Sequence, residues 1–224
     1  VDGARASGSL STGPQSTPKS AWKAGEVPAL YQRDPAWADG TYAEDDFGTT
    51  GCGPTCMAMA YVALTGRTDM TPADMGAFSE RLGCATPDGT AWTFMTEGAA
   101  ELGLVAEEVP ADEQSVRRAL LSGSPGHLQR GTRAISPGTG HFIVLAGIDE
   151  QGRLLVRDPN SPERTGKAWD FAPCSANAAR SGPTRPLDAP RAALSPAGRR
   201  TKLRADRTCC PQAPRRRPPP SCPR

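Results

Sequence analysis

The run Thr49-Thr50-Gly51-Cys52-Gly53-Pro54-Thr55-Cys56-Met57-Ala58-Met59-Ala60-Tyr61 constrains this chain more than any other stretch. Two glycines flank a cysteine, and they permit backbone angles and close approaches that a side chain would block. Pro54 suits the first helical position, where no N–H is needed. The Ala, Met, Tyr and Val residues that follow predict a buried helix to about Leu64, and Thr65-Gly66 supplies its stop. Cys52 is thereby delivered to a helix start, where unpaired N–H groups and the positive end of the helix dipole converge. That setting favours the thiolate, the reactive form of cysteine. Cys56, one turn further on, is expected to be an inert apolar residue.

Before this run, residues 1–26 are rich in Gly, Ser, Thr and Pro and read as a disordered segment. Val27 to Gln32 reads as a short strand, Arg33-Asp34-Pro35-Ala36-Trp37 as a turn with an aromatic anchor, and Thr41 to Phe47 as an acidic loop. After it, Thr71-Pro72-Ala73-Asp74 carries the start signals of a second helix, which runs to Leu82 and stops at Gly83. A third helix is predicted from Thr93 to Leu102, a short strand from Leu104 to Val109, and a fourth helix from Asp112 to Leu121.

The pattern then changes. His141-Phe142-Ile143-Val144-Leu145-Ala146-Gly147-Ile148-Asp149 is a nearly continuous apolar run of strand length, Glu150-Gln151-Gly152 is a turn, and Arg153 to Asp158 is a second strand. As a β-hairpin they bring His141 and Asp158 to the same end. Helices first and a hairpin later predict an α+β domain. A cysteine at a helix start, a histidine opening a strand and a carboxylate closing its partner are the parts of a thiol acyl-transfer site. Such an imidazole stabilises the thiolate and protonates the leaving group, while the carboxylate orients the ring. Asn160 is the rival to Asp158 for the orienting place. The other histidine, His127, lies in an irregular stretch and reads as a solvated loop residue.

From Val27 to about Phe171 the chain resembles the C39-like cysteine peptidase family. The matching pieces are Tyr31-Gln32-x-Asp34-Pro35-x-Trp37, Gly51-Cys52-Gly53-Pro54-Thr55, Gly140-His141-Phe142-Ile143-Val144-Leu145 and Asp158-Pro159-Asn160, in that order. The resemblance implies a papain-like fold, in which a helical half carrying Cys52 packs on an antiparallel sheet carrying His141 and Asp158. It implies Cys52 as nucleophile, His141 as base and acid, Asp158 as orienting residue and Gln32 as side-chain oxyanion donor. Such donors contribute roughly 3–4 kcal/mol. The implied function is hydrolysis of a peptide or amide bond in a peptide or protein substrate through a thioester acyl-enzyme. No metal or organic cofactor is called for, and a monomer is expected. A non-catalytic peptide-binding module on the same fold is the alternative from another class.

Charge and cysteine usage narrow the partners. Residues 180–224 hold 12 Lys+Arg and 2 Asp+Glu, leaving 14 Lys+Arg against 22 Asp+Glu in residues 1–179. The domain, taken as residues 27–172, is acidic and the segment 173–224 is a basic, Pro/Arg-rich tail. The tail lacks the interleaved aromatics and folded module of a nucleic-acid binder, so disorder is expected there and no nucleic-acid partner. The seven cysteines form no CxxC pair or Cys/His ligand spacing, which argues against structural zinc. No apolar run reaches the roughly 18 residues of a membrane span. No signal peptide is visible in the first 20 residues; the family resemblance is compatible with an extracellular location, and the location stays open.

Two stretches depart from the family pattern. An apolar strand is expected before His141, where the chain has Ser124-Pro125-Gly126-His127-Leu128-Gln129-Arg130-Gly131-Thr132-Arg133. A closing amphipathic helix is expected after Phe171, where it has Ala172 to Thr184 and then the tail. Read one base forward with suitable synonymous codons, Gly126 to Thr132 becomes Val-Ile-Cys-Ser-Val-Gly-Pro. Shifted by two, Ala172 to Thr184 becomes Pro-Val-Leu-Ser-Gln-Cys-Arg-Glu-Val-Trp-Ala-Tyr. A doubly disrupted reading frame is thus a third reading, and it predicts an inactive product without a core strand beside His141.

Overall fold

A computed structural model describes residues 13–107, 109–110, 112–122, 127–130, 140–171 and 183–186, all within one compact unit. The helices are α1 (Phe47–Thr50), α2 (Cys52–Thr65), α3 (Pro72–Arg81), α4 (Glu97–Glu101), α5 (Glu113–Leu121) and α6 (Pro162–Thr165). The strands are β1 (Thr41–Tyr42), β2 (Asp45–Asp46), β3 (Ala85–Thr86), β4 (Gly89–Thr90), β5 (Leu104–Ala106), β6 (His127–Arg130), β7 (Phe142–Ile148), β8 (Leu154–Arg157), β9 (Ala168–Trp169) and β10 (Pro183–Pro186). The order β6-β7-β8-β9 forms an antiparallel sheet, and β1-β2, β3-β4 and β5-β10 form two-stranded ones. The architecture is α+β.

The apolar run of α2 is buried on every side from Cys52 to Ala63, which explains why its sequence shows no polar stripe. Gly66 closes it in the left-handed conformation at φ +70°, its N–H on Val62 O. β7 is sandwiched. Phe142 and Val144 join the core around α2, while Ile143 and Leu145 join a second core with Val116 of α5, Leu154, Val156 and Phe171. Side chains alternate faces along a strand, so burial on both faces requires a run with no polar break. α3 begins at a capping box in which Thr71 Oγ1 accepts from Asp74 N–H and the Asp74 carboxylate accepts from Thr71 N–H.

Several expectations change. Residues 13–26 are not disordered: Trp22 is buried, its Nε1 donates to Thr17 O at 2.8 Å, and Thr17 N–H donates to Ala29 O. Val27 to Gln32 forms no strand, Gln32 lying in a turn, and hydroxyls take two of its N–H groups. Ala29 N–H donates to Thr17 Oγ1 and Tyr31 N–H to Ser16 Oγ. The single helix predicted over 93–102 is a 3-10 turn, Trp92–Met95, followed by α4, with the break at Thr96. The tighter turn sends two neighbours, Phe94 and Met95, into the core together.

The strand thought missing before His141 is present as β6. His127, expected in a loop, opens it and pairs with Leu145, and Arg130 pairs with Phe142. β6 is the edge of its sheet, where one ladder suffices and a polar sequence suppresses further pairing. The segment from 173 on is likewise not wholly disordered, since Pro183–Pro186 forms β10 against Leu104–Ala106. Cys174, Cys209, Cys210, Cys222 and the Arg/Pro-rich end beyond 186 lie outside the described residues.

Candidate active site

Cys52 is presented by the break between α1 and α2. Gly51 links the two helices at φ −78°, ψ 14°, angles open to any residue. The glycines are needed for space instead. A Cβ on Gly51 would stand 2.5 Å from Phe47 Cε1 and Phe47 O, and one on Gly53 would stand 2.5 Å from Thr90 Cβ and closer still to its hydroxyl. Pro54 is the third helical residue rather than the first, still within the turn whose N–H groups have no helical acceptor. Thr90 Oγ1 is tied to Tyr42 Oη at 2.8 Å, and Tyr42 Oη to Ser79 Oγ at 3.0 Å. Burial holds the Tyr42 phenol above its usual range, although those two hydroxyls lower it, and the neighbouring Cys52 raises it further.

The antiparallel pairing of β7 with β8 places His141, just before β7, beside Asp158, just after β8. His141 Nε2 and Asp158 Oδ1 are 2.8 Å apart. Nε2 is thus committed to the carboxylate, and Cys52 is the other group that acts on the ring. The next residue, Phe142, stacks on Trp92 with centroids 5.8 Å apart and planes 16° from parallel. Burial by itself would push the imidazole down. Asp158 first, and Cys52 with it, outweigh burial and hold the ring up at about 9.

Asp158 is fully buried. Burial opposes its charge, but His141, Arg164 and Asn160 N–H together hold the carboxyl below its usual range. Oδ1 accepts from His141 Nε2 and from Asn160 N–H, each at 2.8 Å, and Oδ2 accepts from Arg164 Nε at 2.7 Å. Its backbone N–H donates to Thr165 Oγ1 at 2.9 Å. Asn160, the rival, turns its Oδ1 to Arg33 Nε and reaches the site through its main chain alone. The sequence reading did not single out Arg164. The available signal was Ser161-Pro162, a cap followed by proline, directly after Asp158-Pro159-Asn160.

Gln32 joins the two halves. Its N–H donates to Pro159 O at 2.8 Å, and its Nε2 donates to Gly48 O at 2.8 Å and Thr49 O at 3.2 Å, in the turn that precedes Cys52. Its Oε1 is buried with no hydrogen-bond partner. Cys56 is fully buried, and burial, then the charges of Cys52 and Asp158, push its thiol well above the ordinary value. It stays a protonated thiol. Among the described residues no group of His, Cys, Asp and Glu is arranged to hold a metal ion, and no helix is long and apolar enough to cross a membrane.

A family model described as "Peptidase_C39 like family" matches residues 25–181. No curated protein and no solved structure matches the chain.

Proposed function

The chain belongs to the C39-like peptidase family, and from that premise we propose that it is a cysteine hydrolase that cleaves a peptide or amide bond through an acyl-enzyme on Cys52. The observation that supports this reading is the 2.8 Å contact between His141 Nε2 and the buried carboxylate of Asp158, with Cys52 the other group that raises the ring. In the reaction, the Cys52 sulfur attacks the substrate carbonyl carbon. A C–S bond forms as the carbonyl π pair moves to oxygen. When that pair returns, the C–N bond breaks and His141 gives its proton to the departing amine. Water then attacks the thioester, neutral His141 takes the proton of that water, and the carboxylic acid leaves with sulfur restored.

The helical half built on α2 and the sheet β6–β9 are the two halves of a papain-like arrangement in this reading, with substrate between them. Gln32 Nε2 is the proposed side-chain donor to the oxyanion beside Cys52 N–H. To serve, it exchanges its bond to Gly48 O or Thr49 O for one to the substrate oxygen.

Alkylation by iodoacetamide, mapped for each cysteine by mass spectrometry from about pH 4 to pH 9, tests the pair. An ordinary cysteine ionises near 8.5, so little of it is thiolate at pH 6. Cys52 in the intact chain is expected to react there about a hundredfold faster than in His141→Ala. Equal rates in the two proteins would overturn the reading. Cleavage of a fluorogenic peptide library, lost in Cys52→Ala, then identifies the substrate class.

A further inference from the structure

Asp158 orients His141 only if its own carboxylate is kept from turning. The terminal torsion of an aspartate is broad; Thr165 Oγ1 holds the Asp158 backbone N–H and Asn160 N–H holds Oδ1, and neither bond reaches Oδ2. Oδ2 is buried, and Arg164 Nε is the donor that meets it, at 2.7 Å. Arg164 is itself fixed at both of its main-chain polar groups. Its N–H donates to Ser161 Oγ, the cap of α6, at 3.1 Å, and its carbonyl accepts from Trp169 Nε1 at 3.1 Å. A surface ion pair of arginine and aspartate is worth little. This one differs, because the carboxylate is wholly buried while the arginine side chain is 23% exposed. A planar guanidinium delivers its N–H in a set direction, which a lysine ammonium does not.

We propose that Arg164 is a positioning residue of this site: it anchors Oδ2 of Asp158 so that Oδ1 stays on Nε2 of His141. The chain of contacts runs Cys52, His141, Asp158, Arg164, with charge alternating along it once the thiolate has formed. Arg164 touches neither sulfur nor substrate and acts through the carboxylate. The titratable groups that act on the His141 ring are Asp158 and Cys52, and both act on Cys56 as well. The inference rests on the hydrolase reading, and its test separates the two.

The test titrates His141 in the intact chain by NMR. The chain has two histidines, so the His141 Cε1–H resonance is assigned by its loss in His141→Ala. In Arg164→Met the ring midpoint is expected to fall by about one unit, a tenfold change in its protonation equilibrium. In the Asp158→Asn background the same substitution is expected to change nothing. Arg164→Lys keeps the charge without the directed Nε–H, and its midpoint is expected to lie between those of Met and the intact chain.

A midpoint that rises in Arg164→Met overturns the proposal, because the arginine then merely opposes the imidazolium charge. An unchanged midpoint overturns it too, as does an equal fall with and without Asp158, which marks a general structural role. If Arg164→Met does not fold, an Arg164→Lys midpoint equal to that of the intact chain is the overturning result. Cys52 alkylation in His141→Ala keeps the readings apart. Slow alkylation there with no effect at Arg164 removes Arg164 and leaves the hydrolase reading, whereas fast alkylation there removes the hydrolase reading itself.

Discussion

Gly53 lies against Thr90 with no room for a methyl group, whereas Asp158 lies inside three donors gathered around one carboxylate. The two positions flank the same cysteine–histidine pair and are held by different forces. On the α2 side, shape does the positioning, through glycines, aromatic rings and a helix buried on every face. On the α6 side, an ion-pair network does it, through groups that would be costly to bury singly. The difference teaches where each half should fail. The first is sensitive to volume and indifferent to pH, and the second is the reverse.

The largest expected effect comes from breaking the charged half. Asp158→Ala leaves His141 buried and Arg164 unpaired, and should cost about 3–5 kcal/mol of folding stability by urea denaturation at neutral pH. A cost below about 1 kcal/mol would show that the network is as weak as a surface pair and would dissolve the contrast.

Next in size is the pH dependence of the intact chain. The His141 ring is held at about 9 in the fold, against 6.5 unfolded. A raised value stabilises the fold fully below pH 6.5, and the contribution is lost as pH climbs through about 9. The whole difference amounts to roughly 3 kcal/mol. Urea midpoints should therefore decline between these values, and His141→Ala should flatten the decline. An equal slope in the variant would assign it to other groups.

The smallest effect belongs to the shape-held half. Gly53→Ala forces Thr90 to move and should cost about 1–3 kcal/mol, by the same amount at pH 6 and pH 9. Thr90→Gly, combined with it, should recover most of the loss. A cost that varies with pH would mean that the Thr90 side of the site feels the charges after all.

The cysteine helix, the hairpin and their meeting point were legible because each is local. An uninterrupted apolar run bounded by Gly66 is a helix wherever it packs, and two strands joined by a short turn must bring their outer ends together. Segments whose partners are distant in sequence were not legible. The stretch at 13–17 reads as low complexity, yet Ser16 and Thr17 hydroxyls stitch it to residues 29–31. His127 to Arg130 has no apolar pattern and still forms an edge strand, because the register on β7 is a backbone matter. Arg164 is only six residues from Asp158, but no local rule turns its side chain back onto that carboxylate.

What the sequence by itself determined is the set of candidate groups and their order: Cys52 at a helix start, His141 before one strand and Asp158 after its partner. Local rules of helix starts, strand runs and turns carry that much. What only the tertiary structure decided is how those groups are held. Whether a glycine serves its backbone angle or its neighbour's bulk depends on Thr90, which is far along the chain. That Oδ1 of Asp158 faces the ring while Oδ2 meets Arg164 is visible only with α6 in place. Both are close-range effects between residues whose sequence separation says nothing of their distance, and they exist only once the chain has closed on itself.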